Sequence, residues 1–394
     1  MSTITTRTRS RLRRLQKLHL AAAVKQEESY ISSFTIENDE FVEEDDIIKQ
    51  ITFDKCSQSV LSITNFDEPL QIQHQYPIPK LGEHDILIEN KAVGLNPIDW
   101  KGKKYQFGIY HFPWINGRES SGIVVKTGSN VKSHEFSPGD KVIVSSTSYR
   151  DNRTSTFQQY TAIDSRLVWK LPPKFSFEDG ATIGVGLVTA GIIFYNSFQF
   201  ELTEHPAKEF TKNESIIIWG GATVVGLYAT QLAKLHGLKV ISIASLDHEI
   251  YLKELGADIV INRHLSSQEI KSLALAFSTN IKYGIDCVSK DTSTIVLDIL
   301  SNSTSIKPLF SGIVGLPKQD IPESVEIRQV VIKEFHENID YGKQFVNITT
   351  HFFNNHQIKP VRYRHYQGGL HIIHDALNDL EVLGAKGEKY VVSI

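Results

Sequence analysis

The run Ile216-Ile217-Ile218-Trp219-Gly220-Gly221-Ala222-Thr223-Val224-Val225-Gly226 leads directly into Leu227-Tyr228-Ala229-Thr230-Gln231-Leu232-Ala233-Lys234. Residues 216–219 are apolar without a break and read as a buried strand. The segment after the turn repeats apolar positions at helical spacing. Between them, Gly220 and Gly221 permit a tight turn and close backbone approach, and Gly226 lets the helix lie against the strand. The first turn of such a helix carries unpaired N–H groups and the positive end of its dipole, which suits a pyrophosphate. The expected cradle is therefore Gly220, Gly221, Ala222, Thr223, Val224, Val225 and Gly226. Thr223 replaces the second glycine of G-x-G-x-x-G, and its hydroxyl is a candidate phosphate donor. An ordinary strand–turn–helix has the same outline and stays open as an alternative. A Walker loop is excluded, because no G-K-[ST] follows.

Working outward, residues 239–244 read as a second strand, 249–255 as a helix and 259–261 as a third strand. Residues 283–288 and 310–315 look like further strands. Alternating β and α elements imply an α/β fold, a parallel sheet with helices on both faces. Upstream, from residue 58 to 174, the pattern is different. Short β runs at 85–89, 122–126 and 141–145 are broken by turns such as Pro138-Gly139-Asp140. A chain of 394 residues suits roughly two such domains.

The choice of dinucleotide depends on the end of the second strand. An acid there would hold a ribose 2′-hydroxyl. The strand instead ends in Ala244-Ser245. Asp247 has the right spacing but lies beyond the strand, where an acid commonly caps the next helix. Ser245, His248 and Arg263 could hold a 2′-phosphate by hydrogen bonds and charge. NADPH is the expected cofactor.

Composition removes other classes. The net charge of −3 gives no global field for nucleic acid. Two cysteines, Cys56 and Cys287, exclude a disulfide scaffold or a cysteine-rich zinc lobe. Cys287 sits in an apolar strand and reads as a small core residue. Residues 180–200 carry no formal charge, yet contain Gly184, Gly186, Gly191, Asn196 and Gln199. They read as a loop and buried helix at a domain junction, not as a membrane span. Residues 1–26 carry seven bases and no acid, and residues 27–46 nine acids and no base. The start is either a charged tail or an organellar transit segment. Localisation is expected to be cytoplasmic, with mitochondrial targeting through the Arg-rich start as the alternative.

An ordered set of short motifs adds to this. They are Ala92-Val93-Gly94-Leu95-Asn96-Pro97-Ile98-Asp99-Trp100-Lys101, Gly117-Arg118-Glu119-Ser120-Ser121-Gly122, Pro138-Gly139-Asp140-Lys141-Val142, Ala181-Thr182-Ile183-Gly184-Val185-Gly186-Leu187-Val188-Thr189-Ala190-Gly191, the glycine turn, Leu255-Gly256-Ala257-Asp258 and Gly387-Glu388-Lys389-Tyr390-Val391. From about residue 59 to the end, the chain resembles the medium-chain dehydrogenase/reductase superfamily. It is most similar to the zinc-free branch of quinone oxidoreductases and toxD-like fungal enoyl reductases. The resemblance implies a GroES-like β-rich catalytic domain (residues 53–187 plus 348–394) interrupted by a Rossmann doubly wound domain (188–347), after a charged extension (1–52). It also implies a possible homodimer through the Rossmann sheet edge.

Zinc-dependent relatives carry a cysteine near residue 97 and a His-Glu pair after the glycine at 117. Here no thiol stands in the first region and the pair is Arg118-Glu119. Arginine cannot ligate a metal, so no zinc is expected, and Glu119 reads as a loop-fixing acid. Without a Lewis acid the substrate must accept hydride unaided, as conjugated carbonyls and quinones do. The resemblance places Asn96 and Lys101 beside nicotinamide and substrate, with Lys101 as enolate stabiliser or proton donor. Tyr105 is a second proton-donor candidate, although Phe107 falls at the position of a tyrosine in some relatives. Thr189 is expected beside the nicotinamide, and the loop containing Leu316 along the cofactor. The rival reading is a catalytically weak dinucleotide-binding regulatory or trafficking protein on the same fold.

Overall fold

The computed structural model describes residues 55–146, 150–206, 213–317, 319 and 321–394. The expected extension at 1–52 lies outside the described residues.

Six parallel strands form the nucleotide sheet. Their spatial order is Ile259–Asn262, Lys239–Ala244, Ser215–Trp219, Ile281–Asp286, Leu309–Gly312, Glu326–Ile327. In chain order this is 3-2-1-4-5-6, the doubly wound arrangement in which ligands sit at the carboxyl ends beside the first strand. The central strand Ser215–Trp219 is buried throughout, as a strand covered on both faces must be. Helix Val224–Leu235 follows it at once.

The other main sheet is mixed. Its strands run in the order Tyr363–Gln367, Lys389–Ser393, Asp85–Leu95, Glu119–Thr127, Lys141–Ser145, Val168–Lys170, and Tyr160–Asp164 also pairs with Asp85–Leu95. The last strand of the chain, Lys389–Ser393, thus inserts between an early strand and its own neighbour. A three-stranded antiparallel sheet (Gln71–Pro77, Ser57–Ile63, Trp114–Ile115) completes the β-rich part.

The boundaries expected at 187/188 and 347/348 both fall inside helices, Gly184–Gly191 and Ile339–Asn354. Both helices belong to a core shared by the two sheets. Trp169 of the mixed sheet stacks on Phe335 at 5.6 Å, meets Phe345 edge-on, and donates its indole N–H to Thr349 Oγ1 at 2.8 Å. Each aromatic pair adds about 1 kcal/mol beyond its buried area. The helical stretch Phe177–Ser197, which takes in the uncharged run from Gly180 onward, has an apolar window of mean hydropathy 1.4, 78% of it buried inside the protein. It packs tightly enough that a Cβ on Gly186 would lie 2.5 Å from Val224.

Candidate active site

A cavity of about 730 Å3 gathers its lining from stretches far apart in the chain. That volume is typical of small-molecule sites. Thr223, Val224 and Val225 come from the start of the nucleotide helix, and Val185, Gly186 and Thr189 from helix Gly184–Gly191. Asn96, Trp100 and Lys101 come from helix Pro97–Lys104 and its N-cap. Gly384, Ala385, Glu388, Lys389 and Tyr390 come from the chain's end. The lining is mostly apolar, with a few polar groups converging on it.

The glycine turn is fixed by its own backbone. The N–H groups of Gly220 and Gly221 donate to the Ile243 carbonyl at 3.0 and 3.2 Å, which anchors the turn to the neighbouring strand. Gly220 has φ +80°, a conformation other residues rarely adopt. A Cβ on Gly226 would lie 2.4 Å from the Gly220 carbonyl oxygen. Thr223 is the helix N-cap. Its hydroxyl donates to Gly220 O at 2.8 Å and accepts from Gly226 N–H at 3.1 Å. The hydroxyl expected to bind phosphate is thus engaged in capping, the use its position at a helix start favours. Among the described residues, the N–H groups of Ala222, Val224 and Val225 have no acceptor. They are the donors left for a diphosphate.

Of the residues expected around the cofactor and substrate, Asn96, Lys101, Thr189, Thr223, Val224 and Val225 line the cavity. Thr189 donates its hydroxyl to Val185 O at 2.7 Å, one helical turn back. The Lys101 ammonium lies 5.5 Å from the centre of the Trp100 ring. Tyr105 is not part of the lining. It ends the helix, 60% exposed, and Phe107 is at the cavity instead. Leu316 packs against the nucleotide-sheet core, and the loop reaches the cavity through Ile313 and Val314. Ser245, His248 and Arg263 lie outside the cavity at the carboxyl edge of the sheet. Arg263 N–H donates to Ala244 O at 2.9 Å, so its backbone starts beside Ser245. Ser245 Oγ donates to Asp247 Oδ2 at 3.4 Å. Cys287, read as a core residue, packs in the core but also lines the cavity, where burial pushes its thiol up to about 12.

Sequence reasoning missed a buried charged network at the cavity wall. Lys389, Glu119, Asp99 and Arg118 are all nearly inaccessible. Lys389 Nζ donates to Glu119 Oε1 and, at 2.8 Å, to Asn96 Oδ1. Asn96 Nδ2 donates to the same Glu119 oxygen at 2.6 Å. The other Glu119 oxygen accepts from Val185 N–H at 3.0 Å. Asp99 accepts from Asn96 N–H at 2.8 Å. Burial raises its carboxyl to about 6, against the opposing attraction of Arg118. Lys389 is the counter-charge of Glu119, and the attraction of Arg118 and Lys389 offsets part of the cost of burying Asp99, the compensation that buried charge requires. The reading of Glu119 as a loop-fixing acid points here, whereas Lys389, the first residue of the last strand, carries no such local signal.

Comparison with known proteins agrees with this architecture. Residues 82–173 match the alcohol dehydrogenase GroES-like domain family, and residues 224–338 the zinc-binding dehydrogenase family. An uncharacterized Saccharomyces cerevisiae protein is 30% identical over 358 residues, covering 81% of this chain and 94% of its own. A trans-enoyl reductase of a Fusarium species is 24% identical over 347 residues, covering 83% and 96%. A mycobacterial protein solved with NADPH superposes with a TM-score of 0.69 at 22% identity, covering 86% and 100%.

The donor set does not fit a zinc ion. Among the described residues, no group of three or more His, Cys, Asp or Glu side chains could hold a metal. The charge beside Glu119 is the ammonium of Lys389, and position 118 carries an arginine, which cannot ligate a metal. The donors do fit a dinucleotide, through the open amides of the glycine turn. With the 3-2-1-4-5-6 sheet, the glycine turn and these relatives in hand, the chain is a member of the medium-chain dehydrogenase/reductase superfamily.

Proposed function

We propose that the protein is an NADPH-dependent reductase of α,β-unsaturated carbonyls or quinones that works without zinc. The observation that carries this reading is one cavity joining the open amides of Val224 and Val225 to Asn96, Lys101 and Thr189. When bound, the reduced nicotinamide supplies a hydride. The chain's own residues do the rest. The turn amides hold the diphosphate, Thr189 shapes the wall beside the ring, and the apolar lining excludes water. Hydride arrival at the β-carbon moves an electron pair onto the carbonyl oxygen. Lys101 stabilises that oxygen by a charged hydrogen bond, and a proton from solvent or a side chain completes the saturated product. Conjugation takes the place of metal polarisation, which agrees with a donor set that suits no zinc.

Ser245, His248 and Arg263 support a preference for the 2′-phosphate of NADPH. The test is consumption of NADPH by the purified chain against a panel of enones and quinones, with elemental analysis of the same sample. Turnover without stoichiometric metal is expected. Tight cofactor binding with no turnover across the panel favours the regulatory reading instead. For localisation the proposal is cytoplasmic. Redirection of a reporter by residues 1–26 would overturn it in favour of mitochondrial targeting.

A further inference from the structure

Lys389 and Glu119 are the most deeply buried opposite charges among the described residues, with side chains 1% and 0% exposed. Burying such a pair in place of apolar groups seldom improves stability, so its presence points to a role in specifying geometry. The room for it is built in. A Cβ on Gly94 would lie 2.8 Å from the Glu119 side chain, and one on Gly184 2.6 Å from it.

The connections of the pair are directional. The ammonium of Lys389 comes from the chain's last strand. Through Asn96 Oδ1 it fixes the N-cap of helix Pro97–Lys104, which carries Lys101 to the cavity. Through Glu119 and its bond from Val185 N–H it fixes the first turn of helix Gly184–Gly191, which carries Thr189 to the same cavity. One cation therefore joins the two helices whose side chains must face nicotinamide and substrate together. The diphosphate donors lie on a different stretch, the glycine turn, whose link to the last strand is a backbone bond, Gly387 N–H to Ala222 O, and not a bond to these side chains.

We infer that Lys389 is a positioning residue: its ammonium, through Glu119 and Asn96, sets the helices bearing Lys101 and Thr189 at the separation hydride transfer requires. This rests on the reductase reading above. A displacement of about 1 Å at reacting groups costs about 100-fold in rate. The inference thus predicts a loss in kcat and little change in NADPH affinity.

The test compares Lys389→Arg, Lys389→Met and the double variant Lys389→Met/Glu119→Gln. The single Met variant leaves Glu119 buried without its cation and is expected to fold poorly. The double variant removes both charges and keeps the protein measurable. It should melt as one transition, bind NADPH within about 3-fold of wild type, and lose at least about 10-fold in kcat. Lys389→Arg keeps the cation and should recover most of that loss. Wild-type kcat in the double variant at a temperature well below its melting point would overturn the inference. So would a loss in Lys389→Arg as large as in the double variant.

Amide exchange supplies a readout independent of turnover. Peptides holding Asn96 and Val185 should exchange faster in the double variant, and as in wild type with arginine at 389. Unchanged exchange in the double variant would also overturn the inference. If the wild-type chain reduces nothing in the panel, the reductase reading fails, and the exchange result still decides whether Lys389 sets the two helices.

Discussion

Gly387 donates its backbone N–H to the carbonyl of Ala222 at 3.0 Å. This single bond pins the segment before the last strand to the dinucleotide turn. Gly387 has φ +74°, and a Cβ there would lie 3.0 Å from His248 Nδ1. Gly387→Ala therefore imposes both left-handed strain, about 1–2 kcal/mol, and a contact with the imidazole. The expected result is a lower melting temperature and a several-fold weaker NADPH complex. Adding His248→Ala should relieve the contact and leave the backbone strain. Titration of cofactor fluorescence checks this, and unchanged affinity in Gly387→Ala would show that the bond to Ala222 does not shape the turn.

The carboxyl edge beside Ala244 decides the dinucleotide preference. Arg263 is exposed there, and its backbone is bonded to Ala244. A guanidinium against a 2′-phosphate adds a charge-assisted bond that NADH cannot make, worth about 1.5–3 kcal/mol. Arg263→Ala should weaken NADPH about 10-fold or more and leave NADH nearly unchanged. Equal weakening of the two would remove Arg263 from the 2′-phosphate site.

Much of this was local in sequence. The strand Lys239–Ala244 and helix Glu249–Leu255 fall where hydropathy periods place them, because each is decided by its own residues. The glycine turn is legible for the same reason. Thr223 shows where local reading stops. Its hydroxyl is evident in the sequence, but only the fold shows that Gly220 O and Gly226 N–H engage it. In the loop holding Leu316, the residues that reach the cavity are Ile313 and Val314, since a loop's facing is set by what packs on it. Lys389 and Glu119 lie 270 positions apart, and no spacing rule reaches that far. The strand insertion that joins them is tertiary.

Lys101 is the cavity residue whose loss should affect chemistry alone. Its ammonium rests near the Trp100 ring and makes no bond to the network around Lys389 among the described residues. Lys101→Ala is expected to lower kcat about 10- to 100-fold while the dissociation constant for NADPH stays within a factor of about 2, as for removal of one oxyanion donor. Steady-state kinetics with a fixed enone, paired with cofactor titration, separates the two. Retention of full kcat would assign the enolate oxygen to another donor.

Asp99 links the site to pH through stability. Burial raises its folded-state value to about 6, with Arg118 and the Asn96 N–H opposing. The ordinary value of an aspartate in an unfolded chain is 3.8. The native state therefore holds the proton more tightly than the unfolded state between these two values. The contribution to stability is fully present below the unfolded value and is lost as pH rises through about 6. Its size is about 3 kcal/mol. In Asp99→Asn the group is neutral at every pH, and changes in hydrogen bonding add an offset that does not depend on pH. The difference in unfolding free energy between wild type and Asp99→Asn should then fall, in the wild type's disfavour, between about pH 4 and pH 7. Urea unfolding of both proteins across that window measures it. A difference that stays flat would mean that the Asp99 carboxyl ionises in the folded protein as readily as in water.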